Sequence, residues 1–445
     1  MLILNATLLT GFNSKKLLEK HGLRILNGTV VEIGPSQELS KKYPEEITHD
    51  ANGQYVFPGN ICAHTHFYGA FSRGMVIPGQ PPENFLQILE KLWWPLDKAL
   101  TKEDVYYSAL ISLMDSIKQG TTTLFDHHAS SNFIDGSLDI IADAVEQSGL
   151  RACLCYEVSD RDGEDKTKAE IAENVRFKRA VKDRKTNRIS SAFGLHAPLT
   201  LSTSTLGKCR EAADENEIFH FHLSESKDDS ITIHKKYGKS AVNWLFDNKI
   251  LNENSIAAHC VQVDEDELNI LAESGTWVTH QPRSNMNNGV GVSPVESMLA
   301  KGIKVCLGND GFSNSMWQEW KAAYLVHKLN EEDPRAMNGF TIAEIASINN
   351  SNLASKLFDL NLGSIGVGSV ADLIFIDYDS PTLLTTGNLP WHILFGFRDG
   401  MVTSTMVNGE FLMKDRIILT LDEKEINSKA RELSANMWER FSSKY

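Results

Sequence analysis

Four histidines and one aspartate carry the chemistry of this chain: His64 and His66 in Ala63-His64-Thr65-His66, then His222, His259 and Asp310. Neutral imidazoles with a carboxylate are the ligand types that suit zinc or ferrous iron. Three or four of them with one position left open describe a catalytic rather than a structural site. Each of the five closes an apolar run that reads as a β-strand, so the first expectation is a metal hydrolase.

The elements that must position them repeat along the middle of the chain as strand, polar turn and helix. Eight apolar, β-branched windows predict strands at 57–63, 121–126, 152–157, 189–195, 218–223, 255–260, 277–280 and 304–310. Thr101-x-x-Asp104 and Asp264-x-x-Glu267 read as capping boxes, and Gly120, Gly149 and Gly275 stand where helices should stop. Eight such units have the size of a (β/α)8 TIM barrel, whose active sites lie at the carboxyl ends of the strands. Those ends carry His64 and His66, Asp126-His127-His128, Glu157, His196, His222 with Glu225, His259, His280 and Asp310. A random scatter of 14 histidines would not concentrate in such short windows, so the clustering supports the barrel.

The termini read differently. Asn27-Gly28 and Asn408-Gly409 each sit between alternating apolar runs, the signal of a two-residue hairpin, and 371–376 reads as a further strand. Neither end alone has enough strands for a stable sheet. The expected organisation is therefore residues 1–56 and 366–445 sharing a small β-sandwich, with a terminal helix after Glu423, and 57–365 forming the barrel.

Composition narrows the partners. A formal charge of −14 without a Lys/Arg block disfavours nucleic acid and favours a small-molecule ligand. Six scattered cysteines, Cys62, Cys153, Cys155, Cys209, Cys260 and Cys306, contain no C-x-x-C pair and fit reduced thiols in a cytoplasmic protein. The opening residues are too quickly polar for a signal peptide, and no apolar run approaches the ~20 residues that span a bilayer. Gly366-x-Gly368-x-x-Ala371 precedes a strand where a dinucleotide fingerprint needs a helix, and the His-x-Glu and Pro-Cys-x-x-Cys of cytidine-deaminase zinc sites are missing.

A wider set of motifs resembles the amidohydrolase superfamily over nearly the whole chain: Phe57-Pro58-Gly59 before the first histidines, Gly120-Thr121-Thr122-Thr123, Gly194-Leu195-His196-Ala197-Pro198, His222-Leu223-Ser224-Glu225, Ala258-His259-Cys260, Ser284-Asn285 and Leu307-Gly308-Asn309-Asp310-Gly311. The branch is that of cytosine, guanine and S-adenosylhomocysteine deaminases and triazine hydrolases. Leu92-Trp93-Trp94, Asp126-His127-His128-Ala129-Ser130 and Cys155-Tyr156-Glu157-Val158 further resemble the SsnA aminohydrolases, a family associated with selenium-dependent molybdenum hydroxylases.

The resemblance implies His64, His66, His222 and Asp310 as ligands of one divalent ion, zinc with ferrous iron as the alternative. The binuclear branches of the superfamily use a lysine on strand four, and this chain has His196 in that region. Such an ion lowers the pKa of its bound water toward ~7, giving a hydroxide that attacks a ring carbon bearing an amino group and releases ammonia. Glu225 would shuttle the proton, Asp310 would take the second one and His259 would orient the attacking oxygen. His196, His128, Trp94 and Arg283 are the expected substrate contacts, and pairing through barrel helices implies a homo-oligomer. The expected activity is a hydrolytic deaminase of a purine-like heterocycle. Two alternatives stay open: expulsion of chloride, an alkylamine or a cyclic amide by the same chemistry, or an accessory metal-binding role for a selenium-dependent hydroxylase.

Overall fold

The computed structural model describes residues 1–12 and 16–443. Its centre is a ring of parallel strands, Asn60–Thr65, Thr121–His128, Arg151–Tyr156, Ile189–Ser191 continuing as Phe193–Leu195, Phe219–Leu223, Ile256–His259, Trp277–His280 and Val305–Leu307, with helices on the outside. This is the (β/α)8 barrel. Two seams close it, and each depends on a glycine. At the fourth strand, the Val158 amide donates to Gly194 O (3.1 Å) and the His196 amide to Val158 O (2.9 Å). A Cβ on Gly194 would lie 2.3 Å from the Tyr156 carbonyl oxygen. Between the last strand and the first, the amides of Asn309 and Asp310 both donate to His64 O (2.9 and 3.1 Å). There a Cβ on Gly308 would lie 2.7 Å from the same oxygen. The buried Asn350 side chain completes this seam by accepting from the Leu307 amide (2.8 Å) and donating to Ile61 O (2.6 Å) and Leu307 O (2.9 Å).

The helices begin and end where local chemistry directs. Lys102–Gln119 starts at the reciprocal Thr101/Asp104 capping box and stops at Gly120 (φ 71°), and Glu265–Ser274 starts at the Asp264/Glu267 box and stops at Gly275 (φ 70°). Val105, Ala109, Leu113 and Ile117 recur every fourth residue, which gives the first of these helices one fully buried stripe.

Strands from both chain ends pair in a single nine-stranded sheet. Its hairpins turn at Asn27-Gly28 (φ 49° and 77°) and Asn408-Gly409 (φ 51° and 74°). The sheet curls so that the Gly368 amide donates to Val30 O and the Ala371 amide to Gly28 O (both 2.8 Å), enclosing a core that includes Ile3, Leu8, Leu23, Val56, Leu373 and Phe375. The window at 57–63 is not one strand. Tyr55–Pro58 pairs with Leu373–Ile376 in this sheet, and Asn60–Thr65 opens the barrel. The chain bends between them at Gly59, where a Cβ would meet Thr122 Oγ1 at 2.2 Å.

Arg151 joins the two parts. It is fully buried on the third barrel strand, and its Nη2 donates to Asp372 Oδ2 (3.1 Å) and Asn408 Oδ1 (2.9 Å). Removing one member of a buried pair strands the other's charge, at about 3–5 kcal/mol. Arg151→Met is therefore expected to lower the urea unfolding midpoint clearly; a midpoint equal to the wild type's would contradict this role for the pair. All six cysteines are buried and unpaired. Among the described residues no helix is long and apolar enough to cross a membrane.

Candidate metal and proton-transfer site

The first barrel strand ends in His64 and His66, two residues apart and so on one face of the strand. His222 at the end of the fifth strand and Asp310 beyond the eighth come from across the ring. The ligand atoms of these four residues all lie within 4.8 Å of one another. Hydrogen bonds orient the rings. His66 Nδ1 lies 2.6 Å from the His127 carbonyl oxygen and His222 Nδ1 lies 2.8 Å from that of His196, and a ring nitrogen can only donate to a carbonyl. The hydrogens are thus committed to Nδ1. The two Nε2 lone pairs face each other at 3.2 Å, with Asp310 Oδ1 3.0 Å from the Nε2 of both His64 and His66.

His64 is held by His220, whose Nε2 is 2.9 Å from His64 Nδ1. Burial, together with the imidazoles of His64 and His127, pushes His220 well below its ordinary pKa, so it is neutral and able to accept. Anchoring each ligand's second nitrogen in this way is how proteins fix metal-binding imidazoles.

Lone pairs and a carboxylate oxygen directed at one point repel each other unless a cation, a proton on one ring or a metal ion, lies between them, and the electrostatics carry that demand. Burial pushes His66 down, but Asp310 outweighs it and holds the imidazole up at about 9. Burial likewise pushes Asp310 up, yet His259, His64 and His66 hold it well below the carboxylate range. Burial drives His64 down to about 3 and His222 well below its ordinary value. Imidazole nitrogens and a carboxylate oxygen are donors that fit zinc or ferrous iron.

Beside this cluster lies Glu225, brought round by Ser224 in a left-handed conformation (φ 48°). Its Oε2 is 3.5 Å from His259 Nε2, and its Oε1 accepts from Asn288 Nδ2 (3.2 Å). Burial pushes the Glu225 carboxyl up to about 7, with His259 opposing and Asp310 reinforcing, which suits a group that gains and loses a proton near neutrality. His259 Nδ1 donates to Asn285 Oδ1 (2.8 Å), turning Nε2 toward Glu225 and to within 3.8 Å of Asp310 Oδ1. Asp310 Oδ2 accepts from Ser284 Oγ (2.6 Å). His259 (φ 74°) and Asp310 (φ 55°) are also left-handed, a conformation uncommon for non-glycine residues.

A cavity opens onto this point. His66, His222, Glu225 and Asp310 form its floor; Tyr68, Phe85, Leu89, Trp93, Trp94 and Leu199 supply apolar walls; and Asp97, Glu157 and Asp229 add carboxyl groups. Among the described residues no Lys or Arg lines it. Arg161 stands behind the acids, with Nη2 2.6 Å from Asp97 Oδ2 and 2.7 Å from Glu157 Oε1. Burial pushes Glu157 up, but Arg161 and then His196 and His127 hold it well below the usual range.

Of the residues expected to touch substrate, His196 and Trp94 line the cavity, and His196 Nδ1 is held 2.6 Å from Thr200 Oγ1. His128 does not line it. Its Nε2 meets Ser130 Oγ (2.8 Å) and its ring packs against Tyr68 and Tyr156, because adjacent strand residues face opposite sides and His127 takes the pore side. Arg283 does not line it either. Its guanidinium is paired to Glu319 and donates to the Ser313 carbonyl (2.7 Å). The sequence reading missed His220 and Asn288. His220-x-His222 repeats the spacing of His64-x-His66 and was open to the same alternation argument; Asn288 left no signal.

The amidohydrolase family pattern matches residues 55–412. The 5'-deoxyadenosine deaminase of Methanosarcina mazei is 32% identical over 448 residues, covering 100% of this chain and 99% of that protein. The 5-methylthioadenosine/S-adenosylhomocysteine deaminase of Thermococcus sibiricus is 34% identical over 418 residues, covering 93% and 94%. Among solved structures, an adenosine deaminase from Xanthomonas campestris with bound zinc superposes with a TM-score of 0.83 at 22% identity, covering 98% of each chain.

Proposed function

Because the chain belongs to the amidohydrolase family, we propose that it is a metal-dependent hydrolytic deaminase of an adenosine-like compound, with His64, His66, His222 and Asp310 holding one zinc ion. The observation that carries this reading is the aim of two Nε2 lone pairs and Asp310 Oδ1 at one point, with Glu225 beside it on the floor of an aromatic cavity. A divalent ion held there supplies Lewis acidity and makes water a nucleophile at neutral pH.

The chain's own groups do the rest. His259 Nε2 orients the water oxygen as it bonds to the ring carbon that bears the amino group. Glu225 Oε2 takes a proton from the water and delivers it to the adjacent ring nitrogen. Asp310 accepts the second proton and returns it as the carbon–nitrogen bond breaks and ammonia departs. Trp93 and Trp94 offer flat apolar surface to the heterocycle, and His196 offers it a hydrogen bond. Asp97, Glu157 and Asp229 offer oxygens that can accept hydrogen bonds from hydroxyl or amino groups of the substrate.

The relatives are named for 5'-deoxyadenosine, 5-methylthioadenosine and S-adenosylhomocysteine. These compounds, with adenosine and adenosine 5'-monophosphate, form the test panel for ammonia release by zinc-loaded protein. Turnover of at least one of the compounds without net charge is expected, with the monophosphate at least about 100-fold poorer in kcat/KM, since among the described residues no Lys or Arg lines the cavity to receive a phosphate. Equal use of the monophosphate would refute the assigned selectivity, and silence across the panel would refute the substrate class.

A further inference from the structure

The helix Pro282–Asn288, which follows the seventh barrel strand, reaches each of the three groups to which the chemistry is assigned, Glu225, His259 and Asp310. Ser284 Oγ donates to Asp310 Oδ2 (2.6 Å), Asn285 Oδ1 receives His259 Nδ1 (2.8 Å) and Asn288 Nδ2 donates to Glu225 Oε1 (3.2 Å). Ser284 and Asn288 are four apart and so share one helix face, and Asn288 Nδ2 also lies 3.3 Å from Ser284 Oγ.

These contacts dictate how the Asn288 amide is turned. The Ser284 hydroxyl hydrogen is committed to Asp310, so Ser284 presents a lone pair to Asn288, and Glu225 presents a carboxyl oxygen. Two acceptors on one side require the NH2 end. The oxygen end would face both of them unpaired.

Resting on the deaminase reading above, we propose that Asn288 is a positioning residue that fixes which oxygen of Glu225 carries the travelling proton. An N–H directed at Oε1 is accepted best by an unprotonated oxygen, so the contact favours Oε2 as the seat of a proton taken up by Glu225. That is the oxygen facing His259 Nε2 at 3.5 Å and the reaction zone. Without the amide the carboxyl could rotate or hold its proton on Oε1, turned away from the ring nitrogen that must receive it. Misplacement of a reacting group by an ångström costs about 10²-fold in rate.

The experiment compares wild type, Asn288→Leu and Asn288→Asp, zinc-loaded, on whichever panel compound the wild type deaminates best, reading kcat, KM, zinc content and melting temperature. Asn288→Leu removes the donor at similar volume. Its kcat should fall by about 10–100-fold with KM within about threefold and zinc content unchanged. Asn288→Asp, nearly isosteric, sets a carboxylate against Oε1 and should lose at least as much; it decides the matter if the leucine variant does not fold. A wild-type kcat in either folded variant, or a rise in KM alone as a mere substrate contact would give, overturns the assignment while leaving the deaminase reading intact. A wild-type protein that deaminates nothing in the panel overturns both.

Discussion

Glu225→Gln should fold, bind its zinc ion and lose about 10²–10⁴-fold in kcat, the usual contribution of a general acid-base group. Glutamine keeps the side-chain length and an oxygen for Asn288 Nδ2, now 3.2 Å from Oε1, so the local hydrogen bonds have no reason to collapse. What it removes is the basic oxygen beside His259. Burial raises the Glu225 carboxyl to about 7, and it is this readiness to change protonation near neutrality that the amide lacks. Elemental analysis with steady-state kinetics checks the expectation: zinc near one per chain with slow turnover supports a shuttle. Near-normal turnover, or loss of zinc, would mean that Glu225 has another task.

His222→Ala should behave in the opposite way and lose zinc and activity together. Its Nε2 is one of the two lone pairs that face each other at 3.2 Å, and its orientation depends on the bond from Nδ1 to the His196 carbonyl. Losing an outer anchor of a ligand typically costs 10–100-fold in metal affinity, so losing a ligand should cost more than about 100-fold. The ring is buried but carries no strand pairing, so the far-ultraviolet circular dichroism spectrum should be unchanged. A folded His222→Ala protein that keeps a full zinc complement after dialysis would remove His222 from the ligand set.

Much of this was legible in the chain because the signals are local. Thr101/Asp104 and Asp264/Glu267 cap helices through residues three apart, Gly120 and Gly275 end them through positive φ, and Asn27-Gly28 and Asn408-Gly409 turn hairpins within two residues. The histidines at strand ends were visible because the barrel gathers strand carboxyl ends in one place. The features that escaped depend on contacts distant in sequence. At the break between the strands, Gly59 lies against Thr122 from the second barrel strand, and the pairing of Arg283 with Glu319 spans 36 residues. Asn350 closes the barrel against Ile61 across 289 residues. Between neighbours on one strand, only the alternation separates His127, which faces the pore, from His128, which does not, and a shift of one residue reverses that reading.

The most direct test of the account is to run the best panel reaction with zinc-loaded protein in water enriched in heavy oxygen, measuring ammonia and the mass of the product. Hydrolytic deamination predicts one ammonia for each product molecule and one solvent oxygen in the new carbonyl, with both signals abolished by a chelator and restored by zinc. Product formed without ammonia, or a carbonyl free of solvent oxygen when analysed promptly, would contradict it.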